Sequence, residues 1–179
     1  MKLLLTLAER IDGLNTRFGV IASWAIVLSC VISCVNAFLR FGLSISSNAW
    51  LEIQWYLFAC AVMLGASLVL RLNEHVRVDI FYGMLSARGK VYVDLFGLIF
   101  FLLPVMGLMV YLSFPLFVEK YVSGEMSANV GGLIRWPAVL TLPLGFAMVF
   151  LQGLSEIVKR VGWLLHVYEM NLVYERPLQ

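Results

Sequence analysis

An all-α membrane protein is the fold class this sequence predicts, on two observations. The chain is 61% hydrophobic and 13% charged, against roughly a quarter charged in soluble domains. Its apolar residues are gathered into four uncharged runs: Phe18 to Leu39, Ile53 to Leu70, Leu95 to Val118 and Trp136 to Ser155. Each is close to the roughly 20 residues a helix needs to cross about 30 Å of hydrocarbon. Membrane strands would alternate in polarity over about ten residues, whereas these runs are continuously apolar. Residues 1–179 are therefore expected to form a single membrane domain of four transmembrane helices (18–39, 53–70, 95–118, 136–155). An N-terminal amphipathic helix and a short surface helix between helices 2 and 3 are expected besides.

The arm 1–17 sets Leu4, Leu7, Ala8, Ile11 and Leu14 at helical spacing opposite Lys2, Glu9, Arg10, Asp12 and Arg17. Glu9, Arg10 and Asp12 interrupt the apolar run that a secretory signal would need. The pattern predicts a helix along the inner membrane surface, leucines in the lipid boundary and charges in water. In the second run, Ala61 and Gly65 form a small-xxx-small pair that permits close helix approach, within the chain or against a partner. Pro104 and Pro115 in the third run and Pro143 in the fourth each remove an amide and invite a kink, while Pro137 suits a first helical turn.

Between the second and third runs lies a dense charged hinge, with Arg71, Glu74, His75, Arg77, Asp79, Arg88 and Lys90. A charge at the bilayer centre costs about 3 kcal/mol on insertion scales, so this segment belongs outside the hydrocarbon. Asp79 is a candidate N-cap for the surface helix and Ser86 for the helix that becomes the third span. Arg71, Glu74, Arg77 and Asp79 are expected to pair with one another at the inner interface.

Placement of lysine and arginine orients the chain. With the N-terminus inside, Arg40, Lys120 and Arg135 are the basic residues, of 13, that fall outside. Both termini are then cytoplasmic. Trp50, Trp55, Tyr121 and Trp136 would mark the outer interface, and Tyr82, Tyr92, Trp163 and Tyr168 the inner one.

Several chemistries find little support. Cys30, Cys34 and Cys60 lie in apolar runs and read as packing residues. Neither His75 nor His166 stands mid-membrane, where a cytochrome would need facing axial ligands. The first run lacks the buried acid on which small four-helix drug exporters depend. The polar residues within the spans are Asn36, Gln152 and scattered serines, not the ionisable group or broken helix of a self-sufficient transporter. No cofactor, resident metal or nucleic-acid partner is expected. The alternative is a membrane-embedded redox or metal-binding enzyme subunit using Glu74, His75 and Asp79, whose spacing matches no strong ligand pattern.

The residues from Leu51 to Gly97 resemble the small membrane subunit of the tripartite ATP-independent periplasmic (TRAP) transporters, the DctQ-like family. The likeness rests on Glu52 and Gln54 opening the second helix, Leu64 and Gly65 near its end, and the HVRVD turn from His75 to Asp79. A second stretch, Ser123 to Pro137, resembles the branch labelled mannitol or chloroaromatic compound transporters, and the resemblance continues to Arg160. It implies a multi-pass subunit of the bacterial inner membrane in a secondary importer of small organic solutes, typically carboxylates. The implied partners are a large TRAP membrane subunit holding the transport pathway, a periplasmic substrate-binding protein, and membrane lipid. The small subunit would be a scaffold rather than an enzyme. The outer loop from Glu125 to Arg135, with Gly124, Gly131 and Gly132 read as a flexible backbone, is expected to shape the face where the binding protein docks.

Overall fold

The computed structural model describes residues 1–45, 47–73, 82 and 84–170. Four long apolar helices account for most of them: α1 (Lys2–Gly42), α2 (Asn48–Leu72), α3 (Ala87–Ser123) and α4 (Trp136–Leu164). All four are long and apolar enough to span a membrane. α4 is central, packing on α1, α2 and α3, while α1 and α2 pair along their lengths and α3 leans chiefly on α4.

The interior reverses the soluble pattern. Ala22, Leu64 and Met148, from α1, α2 and α4, form a small apolar core flanked by Phe18 and Cys60. Large apolar side chains such as Trp24, Phe58, Phe100 and Leu112 face outward. Many of the most deeply buried side chains are polar, among them Gln152, Asn15, Ser67, Ser155 and Glu52. In lipid an apolar side chain gains little by leaving the surface, so close packing and hydrogen bonds hold helices together instead. The Ala61/Gly65 pair serves packing within the chain: Ala61 is buried, and a Cβ placed on Gly65 would stand 3.6 Å from Ala22 Cβ.

α1 differs from the expected arm plus span. It runs 41 residues without a break at Arg17, about 60 Å at 1.5 Å per residue. The arm is its first turns, not a separate helix along the surface. Its polar contacts, one of them through the Ala8 carbonyl, explain this. Ala8 and Asn15 are buried, Asp12 is mostly so, and all three bond to α4. Leu3, Leu4, Leu7 and Leu14 stay exposed.

α3 also starts earlier than its apolar run, at Ala87, with Ser86 capping it as expected: the Ser86 hydroxyl accepts from the Gly89 amide at 3.2 Å. Within α3, Leu98–Leu102 form a π-helical turn in which the Leu103 amide donates to the Leu98 carbonyl. The widened turn ends two residues before Pro104, so the register changes close to where the ring removes an amide. Pro137 sits in the first turn of α4, while Pro115 and Pro143 lie inside their helices. The short surface helix expected from Asp79 falls outside the described residues.

Candidate functional site

Two polar clasps hold the bundle, one near each end of α2. Their anchors on that helix, Glu52 and Arg71, are 19 residues apart, about 28 Å along the axis, close to the thickness of a bilayer's hydrocarbon.

The outer clasp begins with three residues on one face of α2, Asn48, Glu52 and Tyr56, spaced i, i+4 and i+8. All three hold the loop between α3 and α4. The Asn48 amide donates to the Val130 carbonyl at 3.0 Å, and the Tyr56 hydroxyl donates to the Ile134 carbonyl at 3.2 Å. Between them the Glu52 carboxylate accepts from the Ser127 hydroxyl, from Asn129 Nδ2 at 2.7 Å and from the Leu133 amide at 2.7 Å. Glu52 is 2% exposed.

The loop itself is a short hairpin. Met126 pairs with Ile134, the Ser127 amide donates to the Leu133 carbonyl at 2.9 Å, and the Arg135 amide to the Glu125 carbonyl at 3.0 Å. A turn closed by the Gly132 amide on the Asn129 carbonyl, 2.9 Å, forms its apex. Gly131, third in that turn, has φ +70°, the conformation that favours glycine there. Gly132 has no room for a side chain, since a Cβ would stand 2.6 Å from Ser127 Cβ and 2.9 Å from Glu52 Oε1. Of the three glycines in this loop, Gly132 is the one that lets it close tightly on α2. At its base Glu125 bridges Lys120, in the last turn of α3, and Arg135, before the start of α4. Those two cations hold the Glu125 carboxyl below its ordinary pKa. The Tyr121 and Trp136 rings meet edge to face beside it, with centroids 5.5 Å apart.

The inner clasp draws on all four helices. Lys159 of α4 bonds Asp12 of α1 at 3.0 Å and also pairs with Glu156. Arg160 pairs with Glu156 one turn back and reaches Asp94 of α3 at 3.0 Å. Arg71 of α2 lies 3.7 Å from Asp12 and also donates to the Asp12 carbonyl and the Thr16 hydroxyl. Gln152 joins these groups: it accepts from Asn15 and donates to Asp12 at 2.9 Å and to Glu156 at 3.0 Å. Ser155 donates to Asp12 at 2.8 Å, and Tyr82 to Asp94 at 3.1 Å. Among the described residues, three acids and three bases share one partly dry site, and the formal charges of those six cancel. The mutual attraction of buried charges offsets their desolvation only when the geometry is close and the remaining polar groups are bonded, as they are here.

The sequence-derived candidates thus divide. Glu52, Glu125 and Arg135 come together in the outer clasp. Gln54 is half-buried, with its carbonyl facing Ser29 of α1 at 3.5 Å. Arg71 does belong to an inner network, but its described acidic partner is Asp12, not a hinge residue. Glu74, His75, Arg77 and Asp79 lie outside the described residues. Sequence reasoning missed Asp12, Asp94, Glu156, Lys159 and Arg160 as members of one site. One available signal was Glu156, Lys159 and Arg160 at i, i+3 and i+4 directly after an uncharged span. Among the described residues, no group of three or more His, Cys, Asp or Glu side chains is placed to hold a metal ion.

Four apolar helices fastened by polar side chains define a multi-pass helical membrane protein. The family of tripartite ATP-independent periplasmic transporters, DctQ component, matches residues 29–162, most of the chain, and the protein belongs to that family. It is the small membrane subunit of a TRAP transporter. Comparisons with individual curated proteins and with solved structures gave no match.

Proposed function

We propose that this subunit is the scaffold of a bacterial inner-membrane importer, with both termini cytoplasmic, packed as a single membrane domain beside a large TRAP subunit that carries the solute. The family match carries this reading. The distribution of polar groups supports it: the charged clusters stand at the two ends of the bundle, and the described charges of the inner one are paired with each other. Such an arrangement holds helices in place and commits its ionisable groups to that task. The solute is a small organic compound, typically a carboxylate, and its recognition belongs mainly to the other subunits. The outer hairpin contributes to the face that receives the loaded periplasmic binding protein. Its resemblance to the mannitol or chloroaromatic branch supports only a placement within the family.

Reconstitution tests the division of labour. Proteoliposomes containing both membrane subunits and the binding protein should take up a labelled carboxylate from a panel, and liposomes with the small subunit alone should take up none. Uptake by the small subunit alone would overturn the reading. Orientation is tested separately at Ser86, the cap of α3. A cysteine there should react with an impermeant thiol reagent from the cytoplasmic side, and reaction only from the periplasm would reverse the topology.

The alternative of a redox or metal-binding enzyme subunit rests on Glu74, His75 and Asp79, and no described residue adds to it.

A further inference from the structure

We propose that Glu52 is a positioning residue for the outer hairpin: its buried carboxylate fixes the shape in which the loop from Glu125 to Arg135 is presented outside the membrane. The proposal deepens the reading of this chain as a TRAP subunit whose hairpin meets the binding protein, and rests on that reading for its effect on transport.

Three features carry it. First, Glu52 collects donors from three separate points of the hairpin: the Ser127 side chain, the Asn129 side chain and the Leu133 backbone. Those points lie on both strands and at the turn, so one group sets the distances between them. Second, all three are donors, and a carboxylate offers acceptors alone. An amide in its place would turn an N–H toward at least one of them and leave buried polar groups unmatched. Third, the hairpin is shaped around this group, because Gly132 leaves bare the space that Glu52 Oε1 borders. What the anchor presents is an apex bearing Val130, 91% exposed, with Met126, nearer the base, also exposed. The charges at the hairpin's base, Lys120, Glu125 and Arg135, are already paired with each other.

The test uses the whole transporter in liposomes. Cys30, Cys34 and Cys60 are replaced by alanine, and a nitroxide is attached at Val130→Cys, whose side chain is free of the clasp. In the parent protein the label should report a slowly moving backbone. E52Q should shift its spectrum clearly toward fast motion, and Glu52→Asp, which keeps both acceptor oxygens, should restore part of the slow component. If E52Q does not assemble, the double variant Ser127→Ala with Asn129→Ala removes two donors while leaving Glu52 in place, and the same shift is expected. An unchanged spectrum in E52Q, or in that double variant if it is needed, overturns the proposal. Uptake titrated with binding protein is read from the same liposomes. At least a twofold rise in the half-saturating concentration, with the maximal rate preserved, is expected. A loosened hairpin with unaltered titration would uphold the anchor and refute docking at the hairpin.

Discussion

Replacing Glu156 with alanine is expected to destabilise the subunit by about 3–5 kcal/mol, the range found when one member of a buried ion pair is removed. Glu156 stands between Lys159 and Arg160, and the three side chains are 7–10% exposed. Without it the Lys159 ammonium and the Arg160 guanidinium keep Asp12 and Asp94 as their described carboxylate partners, in a site where water is scarce. The loss is measured as unfolding of the detergent-solubilised chain followed by circular dichroism. A change below about 1 kcal/mol would mean that water reaches the cluster and screens it as on an open surface. The pair Asp94 and Arg160 provides a control. Replacing both with apolar residues should cost less than the sum of the two single changes, because the two side chains are directly paired and each single change includes the loss of that same contact.

The second large effect is steric. Gly145→Val should separate α2 from α4 and cost about 1–3 kcal/mol, the usual range for overpacking. A Cβ at Gly145 would stand 2.7 Å from both Cβ and the carbonyl oxygen of Met63, and 3.0 Å from its carbonyl carbon. Two of those atoms are backbone and cannot rotate away, so one helix must move. Gly97→Ala is the contrasting case, since nothing lies within 4 Å of a Cβ there, and alanine favours a helix over glycine by about 1 kcal/mol. Stability should fall for the first variant and hold or rise for the second. Equal melting of Gly145→Val and the parent would show that the α2–α4 contact is looser than the geometry implies.

The four helices were legible in the sequence because hydrocarbon imposes a length and a lack of charge, both local properties of the chain. Ser86 as a cap and Ala61 with Gly65 as a packing face were legible for the same reason, since each depends on neighbours within one helix. The clasps were not, because their members are far apart in sequence. Asp12 and Lys159 are separated by 147 residues, and Glu52 and Leu133 by 81. Periodicity placed Asp12 on the wet side of an amphipathic arm, which holds for an isolated helix at a surface. It fails once α4 extends alongside with Ser155 and Lys159 facing that same side. The close approach at Gly132 was not legible either, because a glycine's small size can serve mobility or contact, and only the position of Glu52 reveals the contact.

The sequence distance between the halves of the inner clasp also sets an order in time. A ribosome adds about 5–20 residues per second, so the 147 residues from Asp12 to Lys159 take about 7–30 s to synthesise. During that interval α1 leaves the ribosome, and Arg71 is made well before Lys159, the second base that faces Asp12. The synthesis of α4 thus completes a contact that α1 and α2 begin.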